Sequence, residues 1–77
     1  MNGDHMSLRE AELLREYTVE SVNVNDKQLT SFLFSLGCFS GEPITVIARR
    51  RSGCIVAIKD GRYSIDSRLA EAITVRE

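Results

Sequence analysis

Two hydrophobic periods meet at one short corner of this chain. Leu29, Phe32, Leu33 and Leu36 follow the i, i+3, i+4, i+7 spacing of a single helix face. From Pro43 onward the apolar residues are β-branched and alternate as in a strand. The corner between them reads Leu36-Gly37-Cys38-Phe39-Ser40-Gly41. Gly37 is placed to end the helix in a left-handed conformation, and Gly41 to turn the chain into the strand. At the other end, Asn25 is the expected N-cap, with Gln28 positioned to reach back to it and Val24 and Leu29 set as a hydrophobic staple. Phe34 falls off the apolar stripe, so it either packs under a neighbouring loop or is exposed.

The same reading extends to both sides of the corner. Ser7-Leu8-Arg9-Glu10 has the form of a capping box, predicting a short helix or single turn over residues 8–14 held by Leu8, Ala11 and Leu14. Residues 17–24 alternate with Tyr17, Val19, Val22 and Val24 inward. The change of parity between Val19 and Val22 calls for a bulge or bend. Residues 43–48 and 53–58 read as two strands joined by a hairpin loop over residues 49–53. Asp60-Gly61 is a turn dipeptide that predicts a third strand over residues 62–65. Asp66 or Ser67 then caps a short helix over residues 68–72, with Leu69, Ala70 and Ile73 inward, and Thr74-Val75-Arg76 closes as a last strand. About five short strands with tight turns favour a small, closed or nearly closed β-barrel with a helix inserted after the first strand. The expected organisation is a tail over residues 1–7 and a single domain over residues 8–77.

Composition narrows the class further. Seventy-seven residues suffice for one domain near the lower limit of a self-sufficient core. Ten Lys plus Arg against eleven Asp plus Glu give a net charge of −1, without the basic excess of a dedicated nucleic-acid binder. The polar N-terminus lacks the apolar segment of a signal peptide, and no apolar run approaches a membrane span. Two cysteines are too few for the disulfide framework of a small secreted domain. The expected setting is cytoplasmic, without membrane insertion.

Residues with recognisable catalytic or ligand chemistry are few. His5 is the only histidine and lies in the tail, so no Ser/His/Asp or Cys/His arrangement is expected. No glycine-rich phosphate loop follows a strand. Cys38 and Cys54 lack the four-ligand grouping of a structural zinc site and read as small buried hydrophobes. Direct metal handling with Cys38 as a ligand is the competing idea. Arg49-Arg50-Arg51 is the only basic cluster. It reads either as a solvated loop that keeps a strand edge soluble or as an electrostatic contact for an acidic partner. Nucleic acid fits it poorly, because no aromatic residues interleave with the arginines. Phe34 and Phe39 are either core residues or interface anchors.

The order strand, capped helix, Leu36-Gly37 and Gly41, two β-branched strands and then residues 63–75 resembles the FeoA family of ferrous-iron-transport accessory proteins. Cys38 and Ser40 stand where that family usually has an aliphatic residue and a proline, and the arm around residues 49–53 is short. The resemblance implies an SH3-like β-barrel that is cytoplasmic and non-enzymatic, with no cofactor. It implies as partner the cytoplasmic portion of a FeoB-type membrane GTPase transporter, and weak self-association is compatible with it. The expected contact surface is Phe34, Leu36, Gly37, Cys38, Phe39 and Gly41, together with Arg49, Arg50 and Arg51. The same barrel resembles the C-terminal domain of metal-dependent repressors, so an iron-sensing regulatory domain is the alternative.

Overall fold

In the computed structural model, which describes residues 5–77, six strands form one antiparallel sheet. They are β1 (Met6–Ser7), β2 (Glu16–Val22), β3 (Pro43–Arg50), β4 (Gly53–Ile58), β5 (Gly61–Asp66) and β6 (Ile73–Arg76). Helix α1 (Lys27–Leu36) separates β2 from β3, and α2 (Ser67–Ala72) separates β5 from β6. The order across the sheet is β1-β6-β2-β3-β4-β5. Successive hairpins build one half, and β6 returns to lie between β1 and β2. The terminal strands β1 and β5 are not paired with each other, so the sheet wraps without closing. The expected closed or nearly closed barrel is therefore an open sheet without a continuous ladder.

Alternation along each strand puts one side chain in two into the core. Tyr17 and Val19, Ile44 and Val46, Cys54, Val56 and Ile58, Ile73 and Val75 all point inward, joined by Leu8, Leu33 and Ala70. The bend expected in β2 is a register shift between Val19 and Ser21 against β6. A second shift lies between Val46 and Ala48 in β3.

Several local expectations are corrected. Met6 and Ser7, read as part of the tail, pair with Val75 and Thr74 as β1. The opening helix is only a 3-10 turn over Leu8–Glu10, in which Ser7 accepts the Arg9 N–H at 3.1 Å. Leu14 is 72% exposed and does not reach the core. Asp26, not Asn25, caps α1, accepting the N–H groups of Gln28 and Leu29 at 3.0 and 3.1 Å. Only Leu33 of the α1 stripe is buried, and Phe32 is 53% exposed. No strand packs extensively along α1, so its apolar face has one line of support instead of a covering layer. Arg49 and Arg50 belong to β3, and the hairpin turn is only Arg51 and Ser52. No helix of the described residues is long and apolar enough to cross a membrane.

Candidate interaction surface

The corner after α1 is fixed by backbone bonds that its two glycines permit. Gly37 has φ +97° and closes α1 with a paired cap. Its N–H donates to the Phe34 carbonyl at 3.0 Å, and the Cys38 N–H donates to the Leu33 carbonyl at 2.9 Å. This is the Schellman pattern, with Cys38 and Leu33 supplying the apolar contact that accompanies it. Four residues on, the Glu42 N–H reaches the Phe39 carbonyl at 3.0 Å with Gly41 at φ +92°, as in a type II turn. The Gly41 N–H donates to the Val19 carbonyl at 2.8 Å, and the Val19 N–H donates to the Glu42 carbonyl at 2.8 Å, tying the corner to β2.

This rigid corner presents an aromatic pair. The rings of Phe34 and Phe39 stack with centroids 4.5 Å apart and planes inclined by 28°, while Phe34 remains 61% exposed. They form one wall of an open cleft of about 510 Å³ shared with Leu36, Gly37, Lys59 and Tyr63. The opposite wall is the β4–β5 turn. Lys59 lies across Gly37 and bonds Glu42 at 2.6 Å. Tyr63 lies over Gly61, where a Cβ would fall 2.2 Å from its hydroxyl oxygen. The cleft is thus apolar on one side and carries Lys59 and Asp60 on the other.

The expected site residues fall in four places. Phe34, Leu36, Gly37 and Phe39 come together around the cleft. Cys38 is 2% exposed beneath it, and burial pushes its thiol up to about 11, so it offers neither surface nor thiolate. Gly41 sits in the following turn and does not line the cleft. The arginines lie elsewhere: Arg49 folds back to donate from one nitrogen to the carbonyls of Leu8 and Ala11, and Arg50 borders a separate depression with Ser64 and Asp66. Burial also raises the pKa of Cys54, which the Arg49 charge partly offsets. Among the described residues no group of three His, Cys, Asp or Glu side chains is placed to hold a metal ion.

Sequence reasoning missed Lys59 and Tyr63 as cleft residues. The dipeptide Asp60-Gly61 signalled the turn, and a tyrosine two residues past its glycine was the only hint that a ring would cover it. Leu13 and Leu14 were also missed as surface residues, and Leu14 holds a left-handed φ of +64° that a leucine seldom adopts.

An open antiparallel sheet of this order, with a capped helix after the first long strand, defines a small SH3-like domain. The chain belongs to the FeoA domain family, whose pattern it matches over residues 6–77. A crystal structure described as an iron uptake regulatory protein, FeoA, superposes with a TM-score of 0.80 at 22% identity, covering 94% of each chain. FeoA of Stenotrophomonas maltophilia, solved with zinc and described as an SH3 domain protein, superposes with a TM-score of 0.78 at 24% identity over 91% of this chain and 88% of that one. A manganese-dependent transcriptional repressor carries the same fold in part of its length, with a TM-score of 0.82 at 26% identity over 94% of this chain and 41% of the repressor. No curated protein sequence matches the chain significantly.

Proposed function

We propose that this protein is a cytoplasmic, non-enzymatic accessory module of ferrous iron uptake that binds and modulates the cytoplasmic portion of a FeoB-type GTPase transporter. Membership of the FeoA family supports the pathway. The single observation that carries the surface is the Phe34–Phe39 stack, an aromatic anchor left in solvent by a corner too well bonded to collapse over it. Exposed aromatic residues on rigid supports supply much of the energy of protein interfaces, because little ordering is needed on binding. Lys59 and Asp60 on the facing wall give the partner a charged rim to register against.

The test is an NMR titration of the labelled protein with the cytoplasmic portion of the cognate transporter. Phe34, Leu36, Phe39 and Tyr63 are expected to shift, and Phe34→Ala to weaken binding by about 2 kcal/mol, roughly thirtyfold. The fold should be spared, since Phe34 is 61% exposed. Saturating partner with no shift at these residues sinks the surface assignment. An iron-sensing role by analogy with the repressors has weaker support, because both cysteines are buried.

A further inference from the structure

Strand β5 forms one edge of the sheet over six residues, and the other edge, β1, spans two. The phase of β5 follows from its pairing with β4. Ile58 and Gly61 face each other across a two-residue turn, and at the far end the Ser67 N–H donates to the Ser52 carbonyl at 2.9 Å. The backbone groups of Gly61, Tyr63 and Ile65 therefore point toward β4. Those of Arg62 and Ser64, with the N–H of Asp66, point away from the sheet. Among the described residues nothing bonds to these outward groups. β5 has neither a proline nor a bulge to blunt this edge, and α2, which follows it directly, touches β5 but packs also on β4 and the opening 3-10 turn.

The sequence of this edge is complementary to itself. Reading Arg62-Tyr63-Ser64-Ile65-Asp66 against a reversed copy sets Ser64 opposite Ser64 and Arg62 opposite Asp66 on both sides. The outward phase makes these the hydrogen-bonded pairs of an antiparallel ladder. Tyr63 then faces Ile65 on the inner side, an aromatic against a β-branched residue. Neither Arg62 nor Asp66 has an ion-pair partner among the described residues. Asp66 uses Oδ1 to cap α2 through the Leu69 N–H at 2.8 Å, leaving Oδ2 for a guanidinium. A pairing centred on Arg62 would instead set like charges face to face.

We propose that β5 pairs antiparallel with β5 of a second copy about a two-fold axis through Ser64, joining two sheets into one. Isologous contacts of this kind close on themselves as dimers. The net charge of −1 opposes the approach only weakly.

Sedimentation equilibrium up to millimolar concentration tests the proposal. The protein is expected to dimerise, with Arg62→Glu and Ser64→Pro each weakening the dimer at least about tenfold. Proline is tolerated at an edge position whose N–H faces solvent, so the fold should survive Ser64→Pro. An independent readout uses Ser64→Cys. The two Cα atoms at the axis would sit about 5.5 Å apart, within disulfide range. Mild oxidation should therefore cross-link this variant much faster than Asp60→Cys at the hairpin tip, far from the axis. A wild-type protein that stays monomeric throughout, or equal cross-linking at the two positions, overturns the proposal.

Discussion

Replacing Gly37 with alanine separates two costs that a left-handed glycine combines. At φ +97° any L-residue is strained, by about 1–2 kcal/mol. A Cβ there would also fall 2.8 Å from Lys59 Cγ, 2.9 Å from Lys59 Cε and 3.3 Å from Ile58 Cγ2. Lys59 cannot swing aside freely, because its ammonium is held by Glu42 at 2.6 Å. Displacing it gives up a half-exposed ion pair worth about 0.2–1 kcal/mol and disturbs the packing of Ile58. These two parts together come to about 1–3 kcal/mol, to which the disturbance at Ile58 adds. Gly41 supplies the control: its φ is +92°, but a Cβ there meets nothing within 4 Å. Gly41→Ala should therefore cost only the conformational part, about 1–2 kcal/mol. Urea unfolding followed by circular dichroism measures both, and each kcal/mol corresponds to about 4–8 °C in Tm for a domain of this size. In a Lys59→Ala background the Gly37→Ala penalty should fall by about 0.5–1 kcal/mol, the coupling of groups in contact. Equal penalties at the two glycines, or no relief from Lys59→Ala, would refute the steric argument.

Asp26→Ala should destabilise the domain by about 1 kcal/mol through loss of the α1 cap, while Asn25→Ala changes the same urea midpoint very little. Arg49→Met leaves the carbonyls of Leu8 and Ala11 without their cation and should cost about 1–3 kcal/mol; faster amide exchange confined at first to residues 8–11 would locate the effect. Burial raises the Cys38 thiol to about 11 from an ordinary 9.0. The folded state thus holds this proton more tightly than the unfolded one, and the stability it contributes is present below pH 9.0 and lost as pH rises toward about 11. Thermal unfolding across that window should show the decline, with a shallower slope in Cys38→Ala.

Features set by neighbouring residues were legible in the sequence. Gly37 announces the end of α1 and the broken parity after Val19 the shift in β2, because each depends on a few adjacent positions. Asp60-Gly61 announced a turn before β5 but one residue late, since Lys59 and Asp60 form it and Gly61 already pairs with Ile58. Features set by distant partners were not legible. Met6 and Ser7 carry no periodic signal over two residues and become a strand only because β6 lies beside them. Arg49 reads as one of three loop arginines until the fold brings Leu8, 41 positions away, within its reach. The α1 stripe predicted a buried face, but periodicity cannot say how much neighbouring structure is there to cover it. Asn25 and Asp26 are adjacent residues with equal capping ability, and only the entry angle of the chain chooses between them. The candidate surface was half visible: Phe34 and Phe39 stood out, whereas the Tyr63 and Lys59 wall depends on a turn packing against a helix end.

The pairing of β1 and β2 with β6 also governs when the domain can form. Met6 and Val19 both find Val75 as a partner, and Thr18 meets Arg76. During synthesis β2 can pair with the β3–β4–β5 meander as soon as these strands are made, but β1 and the other side of β2 stay unpaired until residues 73–76 have left the ribosome. Closing so wide a loop places folding toward the slow end for small domains. Until then, the apolar side chains of the opening segment, Leu8, Tyr17 and Val19 among them, have no finished core to enter.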